Sequence, residues 1–185
     1  MILGITGTDG AGKGTVVKYL VNKKGFVHYS ARAIWVEEIE KRGMESTRSN
    51  MRLIANEFRS KQGNDFLITY YLKKIEVERP ENTVIESLRA TAEAVTLKEH
   101  GGVLLAVDAD QRLRYQRVQA RRSSSDAVSY EQFVAHEELE KNDPDPHGMQ
   151  KAKVMEMADY TIENNGTLSE LHEKVSKFLE QYSSR

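Results

Sequence analysis

The sequence predicts an α/β fold in three layers, a five-stranded parallel sheet covered by helices on both faces. Three observations carry that prediction. Five short apolar runs occur along the 185 residues, each continuous rather than alternating, as in strands buried on both faces. Segments with helical spacing of apolar residues separate the runs, the alternation that builds parallel sheets. The first run leads into a glycine-rich loop and then a helix, so a ligand is expected at the carboxyl ends of the strands.

In chain order the predicted strands are Ile2–Thr6, Phe26–Ser30, Thr83–Glu86, Val103–Asp108 and Tyr160–Glu163. One helix, Val16–Asn22, joins the first two. The long interval from Ser30 to Thr83 reads as three helices, Ala33–Arg42, Ser49–Gln62 and Asp65–Glu78. A crossover between parallel strands needs only one helix, so the surplus reads as an inserted helical lobe over residues 32–80, suited to an acceptor. After the fourth strand, the polar stretch Arg122–Asp126 reads equally as a mobile flap or a solvated loop, within a candidate lid at 117–142. Thr167-x-x-Glu170 is a capping box for the last helix. All three prolines, Pro80, Pro144 and Pro146, fall between predicted elements. The length suits a single domain.

Composition excludes several classes. The chain is 39% hydrophobic and 30% charged, with a formal net charge of −1, so the basic excess of a nucleic-acid-binding domain is absent. There is no cysteine, which removes disulfides, Cys-ligated zinc and iron–sulfur clusters and fits a reducing compartment. The five histidines (His28, His100, His136, His147, His172) form no H-x-x-x-H pair. The opening MILGITG is too short for a signal-peptide core, and no run approaches the roughly 20 apolar residues of a membrane span. A soluble, cytoplasmic protein is expected.

The strongest local signal is Gly7-Thr8-Asp9-Gly10-Ala11-Gly12-Lys13-Gly14-Thr15. Glycines at this spacing let the backbone curl until successive N–H groups point at phosphate oxygens, and the following helix N-terminus adds partial positive charge. Gly10, Ala11, Gly12, Gly14 and Thr15 are the expected cradle, with Lys13 as the catalytic point charge for the β- and γ-phosphates. The position after Lys13 holds Gly14 instead of the commoner Ser or Thr, so Mg²⁺ is expected at Thr15, directly or through water. Asp9 beside bound phosphates is costly unless paired or metal-linked, which favours a functional role over packing.

Beyond the loop, Thr83-Val84-Ile85-Glu86-Ser87-Leu88-Arg89 reads as a strand ending in a carboxylate, then an arginine in the first turn of a helix. Glu86 is a candidate for a Mg²⁺-bound water. Arg89, unfavourable against the helix dipole there, is a candidate clamp on the acceptor phosphate. Arg114, Arg117 and Arg121 share one helix face. Arg117 and Arg121 are the preferred pair for neutralising charge on the transferring phosphoryl. In the lobe, Arg32, Arg48 and Arg59, with Arg52, are acceptor candidates, some of them expected to be plain surface residues. Asn165 and Gly166 of Asn164-Asn165-Gly166-Thr167 read equally as a contact to the nucleotide base and as a turn that caps the last helix.

The whole length resembles the nucleoside monophosphate kinase-like P-loop group that includes dephospho-CoA kinase-like and archaeal adenylate-kinase-related proteins. The matching pieces are Gly7–Thr15, Thr47-Arg48-x-Asn50 to Arg59-x-x-x-Gly63, and Glu86-Ser87-Leu88-Arg89. Val107-Asp108-Ala109-Asp110 with Arg114 and Arg117, and Ala158-Asp159-Tyr160 leading to Asn165-Gly166-Thr167, complete them. Within it, Gly12-Lys13-Gly14-Thr15 is similar to adenylate kinases and Asp9-Gly10 to thymidylate kinase, which implies Asp9 close to the acceptor nucleotide. The resemblance implies strand order 2-3-1-4-5, ATP with Mg²⁺, an acceptor lobe and a lid.

One departure bears on the acceptor. Dephospho-CoA kinases carry an acidic residue after the second strand to take the proton of a hydroxyl, where this chain has Ser30-Ala31-Arg32. An arginine suits an anionic phosphate, which needs no general base. A (deoxy)nucleoside monophosphate is therefore preferred over dephospho-CoA or another hydroxyl acceptor. A regulatory nucleotide switch ranks third, since Asn22-Lys23-Lys24-Gly25 lacks the Asp of N-K-x-D and Asp145-Pro146-His147-Gly148 follows no strand. Monomer and homodimer are both open.

Overall fold

Strands β1 (Ile2–Gly7), β2 (Val27–Ser30), β3 (Thr83–Glu86), β4 (Val103–Asp108) and β5 (Tyr160–Glu163) form one sheet in the order β2-β3-β1-β4-β5. The coordinates are a computed structural model that describes residues 1–121 and 128–182. Every pairing is parallel. The register sets Ile5 beside Glu86 and Gly7 beside Val107, so β1, β3 and β4 end together on one edge. That shared carboxyl edge is where the loop and its neighbours meet.

The helices are α1 (Lys13–Lys24), α2 (Ala31–Lys41), α3 (Arg48–Gln62), α4 (Phe66–Glu78), α5 (Thr91–Glu99), α6 (Gln111–Ala120), α7 (Tyr130–Lys141), α8 (Lys151–Glu156) and α9 (Leu168–Tyr182). Two apolar clusters sandwich the sheet. On one face Leu3, Ile5 and Val107 pack against Val16 and Leu20 of α1 and Val175 and Phe178 of α9. On the other, Ile85 and Leu104 pack against Ile39, Ile54, Ile68 and Leu97. Helix α9 earns its place by spacing: Leu171, Val175, Phe178, Leu179 and Tyr182 recur on one face and are all buried.

Several expected boundaries shift by one to three residues. Helix α1 begins at Lys13, three residues before the apolar signal, because Gly12 in the left-handed region (φ 107) caps it without a side chain. Phe26 lies outside β2 and packs into the core beside Leu20. The interval between β2 and β3 holds α2, α3 and α4, as the periodicity predicts. There Trp35, Phe58 and Phe66 stack edge and face at 5.1–6.3 Å between ring centroids. The polar stretch Arg122–Asp126 lies outside the described residues. Among the described residues no helix is long and apolar enough to cross a membrane.

Candidate active site

The loop between β1 and α1 is held from three sides. Gly10 (φ +82) backs onto the Arg114 carbonyl, and Gly12 (φ +107) onto the Asn164 amide; a Cβ at either position overlaps those atoms. Asn164 Nδ2 donates to the Ala11 carbonyl at 2.7 Å. The Thr8 hydroxyl donates to Asp108 at the end of β4. Gly14 differs from these glycines: nothing lies within 4 Å of its added Cβ. Gly14→Ala is therefore expected to fold with a gain of about 0.5–1 kcal/mol, since alanine exceeds glycine in a helical first turn. Gly10→Ala is expected to lose ATP binding, and parallel titrations with thermal melts separate the two outcomes.

Lys13 Nζ donates to the carbonyls of Gly7 and Thr8 at 2.8 and 2.7 Å, and Asp9 Oδ1 lies 3.9 Å away. Burial pushes its pKa down to about 7; Asp9 and Glu140 oppose that shift, while Lys151 and Arg89 add to it. Bound phosphates favour the ammonium form and raise the value again. ATP binding should therefore take up close to one proton at pH 8.5, and none at pH 5.5, where Lys13 is already charged. Titration calorimetry in buffers of different ionisation enthalpy measures this directly. Proton release at pH 8.5 contradicts the assignment.

Around Lys13 the charges converge. Lys151, at the start of α8 and buried, lies 3.4 Å from Asp9 Oδ1 and 2.7 Å from Glu140 Oε2 on α7. Arg89 Nη1 lies 3.9 Å from the same Glu140 oxygen. Arg89 does not open a helix: α5 starts at Thr91, so the helix-dipole argument for Arg89 falls away. Its backbone is clamped instead, the N–H donating to Glu93 Oε2 at 2.6 Å and the carbonyl accepting from Gln150 N at 2.8 Å. Just before it, Ser87 sits at φ 69, a left-handed conformation uncommon outside glycine and frequent where a site dictates the backbone. Glu86 accepts from His28 Nε2 at 3.1 Å. That contact, with Lys13 and Arg89 nearby, outweighs burial and holds its carboxyl below the usual range.

The three arginines of α6 part company. Arg114 is buried, with Nε donating to the Ala109 carbonyl at 2.8 Å and Nη1 to the Asp9 carbonyl at 3.2 Å. It also forms a two-pronged pair with Glu137 of α7, one arm at 3.1 Å. Arg114 thus leaves the shared face for a structural role, and welds the phosphate loop to α7. Arg117 Nη1 donates to the Asn164 carbonyl at 2.9 Å. With exposed Arg121 it walls a cleft of about 290 Å³, also lined by Gly10, Gly12, Thr15, Asn164, Gly166, Leu168 and Leu171. Asn165 Oδ1 accepts from Asp110 N at 2.7 Å, and Thr167 with Glu170 makes the expected capping box, so this turn serves the helix and the cleft together.

The lobe arginines are placed apart. Arg59 is only 4% exposed. Its Nη2 reaches Glu93 Oε1 at 3.4 Å and its Nη1 the His147 carbonyl at 3.3 Å, so it braces the carboxylate that clamps Arg89 and does not line the cleft. Arg52 pairs with Asp143 at 2.6 Å. Arg32 is exposed at the start of α2, beyond the carboxyl end of β2. The side chain of Arg48 lies outside the described residues. Sequence reasoning missed Lys151 and Glu140: the first stands alone after a proline loop, the second inside a helix dense in surface charge.

The donor set fits a nucleotide with Mg²⁺. Gly10, Gly12 and Thr15 line the cleft, and Lys13 Nζ sits on the Gly7 and Thr8 carbonyls of the same loop. Among the described residues no three His, Asp or Glu cluster as a ready-made metal cage. That suits an ion shared with phosphate oxygens.

The whole fold superposes on solved structures of other proteins. Shikimate kinase from Bacteroides thetaiotaomicron superposes with a TM-score of 0.60 at 16% identity, over 97% of this chain and 98% of that one. Deoxyadenosine kinase from M. mycoides gives 0.57 at 14% identity, over 98% and 100%. These likenesses establish the fold. By sequence, the UPF0200 protein of Pyrobaculum aerophilum is 31% identical across 96% of both chains. That of Thermococcus kodakarensis is 29% identical across the full length of both. The chain spans 44% of a longer relative, the UPF0200/UPF0201 protein of Archaeoglobus fulgidus. The AAA-domain family matches residues 3–144, and with these full-length relatives the chain belongs to the UPF0200 family of AAA-domain proteins.

Proposed function

We propose that the chain is an ATP-dependent phosphotransferase whose acceptor is a (deoxy)nucleoside monophosphate. The observation that carries this reading is the convergence of Lys13, Arg89 and Lys151 at the carboxyl edge of the sheet, beside the phosphate loop. Three cations at one point suit two phosphorylated ligands meeting there.

In this reading the loop amides and Lys13 bind the β- and γ-phosphates of ATP. Lys13 exchanges its present carbonyl partners for phosphate oxygens. Arg117 and Arg121 flank the cleft that runs from the loop to Leu168, which takes the nucleoside of ATP. Thr15, and Glu86 through a water, would hold Mg²⁺, which would supply charge neutralisation for the transferring phosphoryl group. Arg89 holds the acceptor phosphate so that its oxygen lies in line with the γ-phosphorus. The new P–O bond forms to that oxygen as the bond to the β-phosphate oxygen breaks, and ADP leaves. The acceptor oxygen carries no proton to remove, so positioning and charge suffice.

A second reading has one observation in its favour. Asp9 places a carboxylate on the loop, where it accepts the proton of a hydroxyl acceptor such as dephospho-CoA. A coupled ADP-release assay over ribo- and deoxyribonucleoside monophosphates plus dephospho-CoA tests both. One monophosphate raising ADP release far above basal hydrolysis supports the proposal. Response to dephospho-CoA alone replaces it, and silence across the panel removes both.

A further inference from the structure

Lys151 is one of the buried charges outside the phosphate loop. It is 4% exposed, and buried lysines are rare unless paired. Its two partners come from different elements: Asp9 from the loop at 3.4 Å and Glu140 from α7 at 2.7 Å. A salt bridge serving stability alone needs neither a third cation nor a place at a ligand edge. Here Arg89 approaches the same Glu140 oxygen, at 3.9 Å. Glu140 Oε2 thus lies between an arginine and a lysine, the environment a phosphate oxygen seeks.

The surroundings support an exchangeable anion. Arg89 is rigid at its backbone, held by Glu93 and Gln150, while its guanidinium also donates to the Met149 sulfur at 3.2 Å. Lys151 is fixed at the first residue of α8. Glu140 lies one residue from the end of α7, next to the irregular segment that begins at Asn142. The cations are fixed at their backbones, and the carboxylate sits in the last turn of α7.

We infer that Glu140 holds the place of an acceptor phosphate between Arg89 and Lys151, and that the phosphate displaces it, leaving Lys151 as an anion-binding residue of the acceptor site. This rests on the kinase reading and deepens it. The carboxylate keeps buried Lys151 and half-buried Arg89 compensated and yields to a ligand of greater negative charge. It also disfavours weak or singly charged anions, which compete poorly with a tethered carboxylate.

The test uses full-length wild type, Glu140→Gln, Lys151→Gln and Lys151→Arg. With the loop saturated by Mg²⁺ and a non-hydrolysable ATP analogue, inorganic phosphate is titrated by calorimetry. Glu140→Gln should bind phosphate about fivefold to tenfold more tightly, and Lys151→Gln about tenfold or more weakly, with Lys151→Arg recovering most of the loss. The acceptor KM should move in the same directions. Thermal melts identify any variant that fails to fold, and Lys151→Arg keeps the charge should Lys151→Gln do so. A purely structural pair lowers the melting temperature in both neutral variants and leaves phosphate affinity where it was, which overturns the inference. Weaker phosphate binding in Glu140→Gln, or no phosphate binding by any of the four proteins, also overturns it. A silent acceptor panel with the phosphate pattern intact removes the kinase reading alone. Turnover with an unmoved KM in both neutral variants removes this inference alone.

Discussion

Lys13→Ala should lower phosphoryl-transfer turnover by about 100- to 1,000-fold while the protein stays folded, the scale seen when one preorganised charge-stabilising donor is removed. The geometry explains both halves. Lys13 is the cation at the floor of the cradle, bonded to the Gly7 and Thr8 carbonyls and aimed along the loop. Those interactions orient a charge that burial itself disfavours. Its folded-state pKa lies below the unfolded value, so the unfolded chain binds more protons between about pH 7 and 10.5. Stability therefore rises with pH across that window, and at neutral pH the lysine weakens the fold. Lys13→Ala should melt no lower than wild type, and its pH dependence of stability above neutrality should flatten. Steady-state rates and melts at pH 7 and 9 check both points. Near-normal activity in a folded Lys13→Ala protein sinks the role given to the loop.

Arg114→Ala should produce the largest loss of stability among single changes at the site. It removes one half of a buried ion pair and leaves Glu137 without its principal partner, a class of change costing about 3–5 kcal/mol. For a chain of this size that corresponds to a fall in melting temperature of about 10 °C. The loss should also reach ATP binding, because Arg114 donates to the Asp9 carbonyl and backs Gly10. Replacing the pair together, Arg114→Met with Glu137→Leu, should recover much of the stability, since an apolar pair of similar volume needs no compensation. Acid sharpens the test. Burial pushes the Glu137 pKa up, but hydrogen bonds from Arg114 and Gln111 outweigh it and hold the value low. The carboxylate thus contributes stability above the usual carboxylate range and loses it as pH falls through the folded value. The double variant should lack that acid-labile component. Thermal or urea melts measure each quantity, and a loss under about 1 kcal/mol in Arg114→Ala contradicts the weld.

Much of this was legible in the sequence because the signals were local. Continuous apolar runs placed β1 to β5 within a residue or so, and Gly-x-x-Gly-x-Gly-Lys fixed the loop, since backbone curvature depends on residues a few positions apart. Side-chain roles were less legible because they depend on distant partners. Arg114, Arg117 and Arg121 look alike on a helical face, yet Glu137 draws the first inward and Asn164 holds the second at the cleft. Arg59 reads as an open acceptor contact until Glu93 and the His147 carbonyl enclose it. Arg89 reads as the opening of a helix until Glu93, accepting from the Arg89 and Ala90 N–H groups, sets the start of α5 two residues later. Lys151 had no pattern at all. Its meaning arises when the chain from Asn142 to Gln150 folds back and brings α8 under the loop, a contact across 142 positions of sequence.

The most direct test of the central claim follows the label in [γ-³²P]ATP incubated with the protein, Mg²⁺ and a mixture of nucleoside monophosphates. The account predicts labelled nucleoside diphosphate, formed in step with ADP and abolished in Lys13→Ala. Label appearing only as inorganic phosphate, at a rate the monophosphates leave unchanged, contradicts phosphoryl transfer to that class of acceptor.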